Sequence, residues 1–271
     1  MLCHITFPPD TQLIITSTRR EFGFFPVLPE ASRYQLFEGA DTIKLVFEYT
    51  VASLAVCVAG QERMRVTLTD NRCLRDREEA NTYDIELLVQ PSLPSTWIPW
   101  PEIVTLEATM DHEAATRAGQ GQDSGWHVLL PLAASLVTLK VTTLVHASRL
   151  FFQVLRNHCT CPRLSTLEVT WSATSPANGG SDYHTIHSGE PGWADSDVLD
   201  ALESLQVRAQ AGVTLQSVKF RMDERCPSMF SLDADVVRSS VPALVGDGHL
   251  ECTCEYVRII ATATGSSQYT R

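Results

Sequence analysis

The chain has no run of about 18 consecutive apolar residues, which excludes a helical membrane span from the reading of its 271 residues. The opening stretch Met1-Leu2-Cys3-His4-Ile5-Thr6-Phe7-Pro8 has neither a basic n-region nor a long apolar h-region, so it does not read as a secretory signal. The expected location is therefore the cytosol or nucleus, where the 8 cysteines stay reduced. Positive charge is scarce. With 21 Lys and Arg against 32 Asp and Glu, the formal net charge is −11, which argues against nucleic acid as a partner because phosphate binding needs a basic surface. Three catalytic signatures are also missing: a serine on a Gly-x-Ser-x-Gly elbow, a glycine-rich phosphate loop, and His-Glu-x-x-His. The carboxylate pairs Glu78-Glu79 and Asp223-Glu224 lie in polar contexts and read as solvated. No catalytic, cofactor-binding or metal-binding residue is assigned, and an enzyme with an unrecognised site is the least favoured reading.

What is present is material for a core, with 44% hydrophobic and 20% charged residues. One short pattern also recurs: apolar, two variable, apolar, one variable, apolar. It appears as Leu136-x-x-Leu139-x-Val141, Leu164-x-x-Leu167-x-Val169 and Leu215-x-x-Val218-x-Phe220. Weaker copies are Leu2-x-x-Ile5-x-Phe7, Ala40-x-x-Ile43-x-Leu45 and Ile103-x-x-Leu106-x-Ala108. The last two apolar positions are two apart, so in an extended strand both point into one core while the residues between them point away. This is the strand portion of a leucine-rich repeat.

The spacing agrees. Leu106 and Leu139 are 33 residues apart and Leu139 and Leu167 are 28 apart, each enough for a strand and a returning helix. Residues 147–156 place Leu150, Phe151, Val154 and Leu155 on one side of a helix. Asp197 to Ala211 reads as another, with cap candidates Ser196 and Asp197, apolar Val198, Leu199, Leu202, Leu205 and Val207, and a stop at Gly212. The 51 residues from Leu167 to Val218 exceed one unit, and residues 172–194, rich in Ser, Gly, Pro, Asn and Asp, are read as a polar insertion. A Gly/Gln/Ala-rich loop is expected at about Asp111 to Ser124. The first 110 residues are strand-rich and irregular, with strands expected near Gln12–Ser17, Thr42–Tyr49, Arg63–Thr69 and Ile85–Val89; the clearer repeats occupy 126–260. The expected architecture is one α/β domain over 1–271, an irregular leucine-rich-repeat solenoid with strands on the concave face and helices outside.

Several segments resemble the region following the F-box in F-box/leucine-rich-repeat proteins of mushroom-forming fungi. These are Leu2-x-His4-Ile5-Thr6-Phe7-Pro8 with Thr11-Gln12-Leu13-Ile14-Ile15, Phe37-Glu38-Gly39-Ala40-Asp41-Thr42-Ile43-Lys44-Leu45, and Asp200-Ala201-Leu202-Glu203 leading to Ala211-Gly212-Val213-Thr214-Leu215-Gln216-Ser217-Val218. Val236 to Glu255 is similar to the family's closing helix and edge strand. The resemblance implies the substrate-recognition part of a ubiquitin-ligase receptor. Members carry an N-terminal F-box that docks on a cullin–RING adaptor, and this chain has no such segment: Met1 falls directly into what resembles an internal repeat. The adaptor is thus a partner only if coding sequence upstream supplies an F-box.

Two nominal ligand sets have blander readings. His158-Cys159-Thr160-Cys161 and Cys252-Thr253-Cys254 suggest halves of a zinc site, but one intervening residue is a poor chelate spacing. Cys161-Pro162-Arg163-Leu164 instead resembles the cysteine-proline lead into a strand of cysteine-containing leucine-rich repeats, where the thiol is a small buried apolar group. His184-x-x-His187, with Glu190 and Asp195, lies at the polar insertion and reads as solvated.

The functional expectation rests on the open strand face. The outward residues there are Thr42, Lys44, Thr105, Glu107, Thr138, Lys140, Thr142, Thr166, Glu168, Thr170, Ser217, Lys219 and Arg221. Hydroxyls with alternating charge suit a concave surface that binds another protein, although threonine also suits any solvated strand. The alternative is a stand-alone interaction protein with no ligase link.

Overall fold

The computed structural model describes residues 12–17, 37–48, 51–69, 98–110, 126–172, 193–222, 249–253, 258–262 and 267–270. Eleven strands form a single sheet: β1 (Leu13–Ser17), β2 (Thr42–Glu48), β3 (Val51–Val58), β4 (Gln61–Thr69), β5 (Thr105–Met110), β6 (Thr138–Leu144), β7 (Thr166–Ser172), β8 (Ser217–Met222), β9 (His249–Thr253), β10 (Arg258–Thr262) and β11 (Ser267–Thr270). Their spatial order is β1-β4-β3-β2-β5-β6-β7-β8-β9-β10-β11. From β2 through β5, β6, β7 and β8 to β9 every neighbour is parallel. Three described helices, α1 (Trp126–Leu132), α2 (Val145–Arg156) and α3 (Trp193–Gln210), return the chain between these strands. The molecule is an α/β protein with a mostly parallel sheet.

One unit recurs along the parallel block. β2, β5, β6 and β7 are each preceded by a tight turn in which an apolar residue donates its N–H to the carbonyl three residues back: Ala40 to Phe37, Ile103 to Trp100, Leu136 to Ala133 and Leu164 to Cys161. All eight of these residues are buried. Beside each turn, one carbonyl accepts two N–H groups from the next unit. Asp41 O accepts from Val104 and Thr105, Val104 O from Val137 and Thr138, Val137 O from Ser165 and Thr166, and Ser165 O from Gln216 and Ser217, all at 2.8 to 3.0 Å. This ladder fixes the register at the starts of β5, β6, β7 and β8.

The apolar positions of the pattern become rows across the sheet. Ile43, Leu106, Leu139, Leu167 and Val218 are in register, as are Leu45, Ala108, Val141, Val169 and Phe220, and all are buried. The helices lie on this face. Trp126 of α1 touches Phe151 of α2 (ring centroids 5.5 Å), Phe152 touches Phe220 (6.3 Å), and Phe220 stacks on Trp171 at 5.1 Å. Sheet and helix layers thus share one core.

At the C-terminal end of α3, Gly212 takes φ +87°, the left-handed conformation that ends helices without a Cβ penalty. The last turn of α3 carries Arg208, which is fully buried. Its guanidinium donates to the carbonyls of Leu155, Asn157 and Thr160 through Nη1, and to that of Cys161 through Nη2. These oxygens belong to the end of α2 and the turn after it, where carbonyls lack intrahelical donors; those of Asn157 and Cys161 also accept the backbone N–H of Thr160 and Leu164.

The structure corrects the sequence reading at several points. α3 begins at Trp193, so the cap candidates Ser196 and Asp197 lie inside the helix. Ser172 closes β7 and Trp193 opens α3, so only residues 173–192 of the insertion lie outside the described residues. The sheet is not parallel throughout. β3 and β4 form an antiparallel hairpin beside β2, turning at Ala59 and Gly60, both with positive φ, as a two-residue hairpin turn demands. Asp41 anchors this turn by accepting the Ala59 N–H through Oδ2 at 2.9 Å. β9, β10 and β11 also pair antiparallel. The expected strand at Ile85–Val89, the loop at 111–124, the copy at Leu2–Phe7 and the closing helix after Val236 lie outside the described residues.

Candidate functional site

On the face opposite the helices, the intervening residues of each strand are also in register. A hydroxyl row runs Thr42, Thr105, Thr138, Thr166, Ser217. Beside it runs a charged row, Lys44, Glu107, Lys140, Glu168, Lys219, and the backbone of Glu251 on β9 continues it. The third row is Val46, Thr109, Thr142, Thr170, Arg221. Every outward residue named from the sequence is therefore on one continuous surface five strands wide. Their placement follows from the period of two: with Ile43, Leu106, Leu139, Leu167 and Val218 buried, the residues on either side must face away.

Charge alternates from strand to strand, and the alternation is used. Glu107 accepts from Lys44 Nζ at 2.9 Å and from Lys140 Nζ at 2.8 Å, one lysine on each carboxylate oxygen. Glu168 pairs diagonally with Arg221 at 2.8 Å. Burial raises the Glu107 pKa, but the hydrogen bonds from Lys140 and Lys44 outweigh it and the net shift is downward. The Lys44 pKa is raised, chiefly by its hydrogen bond to Glu107. Each partner therefore holds the other in its charged form.

The two signs differ in exposure. Side chains of Lys44, Lys140 and Arg221 are 47%, 45% and 47% exposed, whereas those of Glu107 and Glu168 are 28% and 20% exposed. The cations are the more exposed groups and the carboxylates between them are more covered.

The surface extends beyond the residues named from the sequence. Beside Lys44 lie Ala55 of β3 and Arg65 of β4 in the same register. Arg65 pairs with Glu62, which also accepts from Gln12 Nε2 at 3.0 Å. The hydrogen bond from Arg65 is the main cause of the lowered Glu62 pKa. The signal that could have revealed Arg65 is the alternation of buried Met64, Val66 and Leu68 with Arg65 and Thr67 along β4.

The nominal metal ligands do not converge among the described residues. Cys161 is buried and its thiol donates to Leu130 O at 3.2 Å, while Cys159 on the same turn is exposed. His184, His187, Glu190 and Cys254 lie outside the described residues, as do the side chains of Asp195 and Cys252. Among the described residues no group of three or more His, Cys, Asp or Glu is placed to hold a metal ion, and no helix is long and apolar enough to cross a membrane. In comparisons with known proteins, no family model, no curated protein and no solved structure matches the chain.

Proposed function

We propose that this chain is a non-catalytic protein-binding scaffold, an irregular leucine-rich-repeat solenoid whose open strand face captures another protein. The observation that carries the reading is the in-register charged row Lys44, Glu107, Lys140, Glu168, Lys219 between flanking rows rich in hydroxyls. Such a face offers hydrogen-bond donors and acceptors at strand spacing on a rigid support, the arrangement by which stacked repeats bind extended surfaces. Support for the repeat assignment comes from the turn before β2, β5, β6 and β7 and the carbonyl ladder leading into β5, β6, β7 and β8.

By resemblance to the fungal F-box proteins, the captured protein would be a substrate destined for ubiquitination, and the cullin–RING adaptor would dock on an F-box encoded upstream. A free-standing interaction protein is the second reading, favoured by the row itself, which needs no F-box to present its surface.

Two experiments separate these. Replacing Lys140, Glu168 and Lys219 by residues of opposite charge is expected to abolish capture of partner proteins while the circular dichroism spectrum is retained. Unchanged capture by the folded variant overturns the scaffold reading. Co-purification of a ligase adaptor with the product of the full transcript supports the receptor reading, whereas stable partners without an adaptor support the free-standing one.

A further inference from the structure

Among the described strands, β1 stands at the end of the sheet order and pairs only with β4, in parallel. Its outer side presents backbone N–H and C=O groups at strand spacing, which a further strand satisfies. Edge strands are usually shielded by charge, proline or a bulge. Residues Gln12 to Thr16 include no charged residue, no proline and no glycine, and β1 follows β4 in unbroken register.

The side chains are as incompletely covered as the backbone. Leu13 and Ile15 lie beside Met64 and Val66. The latter two are fully buried, whereas Leu13 and Ile15 are only partly buried against the core. On the other face Gln12, Ile14 and Thr16 are exposed. Ile14, beside Arg65, is 61% exposed, more than any other large apolar side chain among the described residues. An added strand covers apolar surface on both faces.

The pattern also selects the strand. From either end, residues 12–16 run polar, apolar, apolar, apolar, polar. An antiparallel copy centred on Ile14 therefore sets like against like. Gln12 falls opposite Thr16, Leu13 opposite Ile15, and Ile14 opposite the same residue of the second copy. Opposite residues share a face, so the two isoleucines cover each other while Leu13 and Ile15 carry one core into the next. We propose that two copies of this chain join at β1, through an antiparallel β1–β1 pair about a twofold axis at Ile14. The two sheets become one, with both open faces on the same side. This joint stands whether or not the open face captures a partner.

Sedimentation of the full chain tests it from roughly 1 to 300 µM, since so short a strand pair sits at the weak end of interfaces. The mass is expected to rise from one chain to two and stop there. Ile14→Lys should keep the single-chain mass with an unchanged circular dichroism spectrum, because the replaced side chain is exposed. Ile14→Cys under oxidised glutathione should link two chains through position 14, as opposite Cβ atoms lie about 5 Å apart. Peptide mapping by mass spectrometry identifies that disulfide. Thr16→Cys should not link, because its two copies lie four residues apart along the strands, about 13 Å. A single-chain mass at every concentration overturns the proposal, as does an Ile14→Lys variant that dimerises like the parent. Growth past two chains indicates a head-to-tail union of unlike edges and overturns it too. Linking through position 16 as readily as through position 14 overturns the twofold at Ile14.

Discussion

Arg208 donates from Nη2 to the carbonyl oxygen of Cys161 at 2.6 Å, joining the last turn of α3 to the turn that launches β7. With the three further carbonyls that accept from Nη1, the guanidinium replaces the water that would otherwise solvate the end of α2. Burial holds its pKa below the ordinary arginine value, yet an arginine remains protonated across the usable pH range.

Arg208→Ala is expected to destabilise the fold by about 3 kcal/mol, because several buried acceptors lose a charged donor at once. Arg208→Lys should recover only part of this, since a point ammonium lacks the planar fork that reaches both sides. Urea unfolding reads both variants, and a lysine variant as stable as the parent would sink this account.

The core positions give a second expectation. Leu167 is fully buried, and Leu167→Ala should cost about 2–5 kcal/mol. Its neighbour Thr166 faces away, and Thr166→Ala should change stability by no more than about 0.5 kcal/mol. Equal effects of the two changes on the unfolding midpoint would mean the register is wrong.

Acid should loosen the open face. The folded pKa of Glu107 lies below its ordinary value of 4.5, as does that of Glu62. Carboxylates with depressed pKa contribute stability that is fully present above their unfolded pKa and lost as pH falls through the folded one. The parent should therefore lose stability below about pH 4.5, and Glu107→Gln should lose less over the same range. Denaturation midpoints measured between neutral and acidic pH decide the point; identical slopes for the two proteins would remove Glu107 from the explanation.

Thiol labelling separates the two cysteines of one turn. Burial pushes the Cys161 thiol up to about 12, outweighing the opposing pull of Arg208, and Cys159 is exposed. A maleimide added to the native protein should modify Cys159 within minutes and spare Cys161 and buried Cys57 until the chain unfolds. Peptide mapping by mass spectrometry reads each site, and early labelling of Cys161 would contradict its packing.

These elements differ in how visible they are in the sequence. The strand faces were readable because Leu139, Leu167 and Val218 alternate with polar residues, and a period of two leaves only one choice of buried face. The helix over α2 was readable from Phe151, Val154 and Leu155. The hairpin partner β3 was not, because Leu54, Ala55, Val56 and Cys57 are buried on both faces and the alternation vanishes. α1 is short and carries Pro131, a residue that argues against a helix interior. Arg208 gave no signal either: a cation in the last helical turn reads as a surface group answering the helix dipole, and only the fold reveals the carbonyls around it. The alternating charge was visible, but the difference in exposure between lysine and glutamate was not, since it depends on how the side chains settle across neighbouring strands.

The carbonyl ladder from Asp41 through Val104, Val137 and Ser165 to Gln216 has a consequence for how such a chain changes over generations. Its rungs are fixed one strand apart, while the stretches of chain between them differ widely in length. Every difference in length is absorbed where the chain travels away from the ladder and back. Returns can be extended, trimmed or replaced without displacing one residue of the charged row. The open strand face and the rest of the molecule can therefore drift at different rates, with the charged row held to its alignment while the returns remain open to insertion.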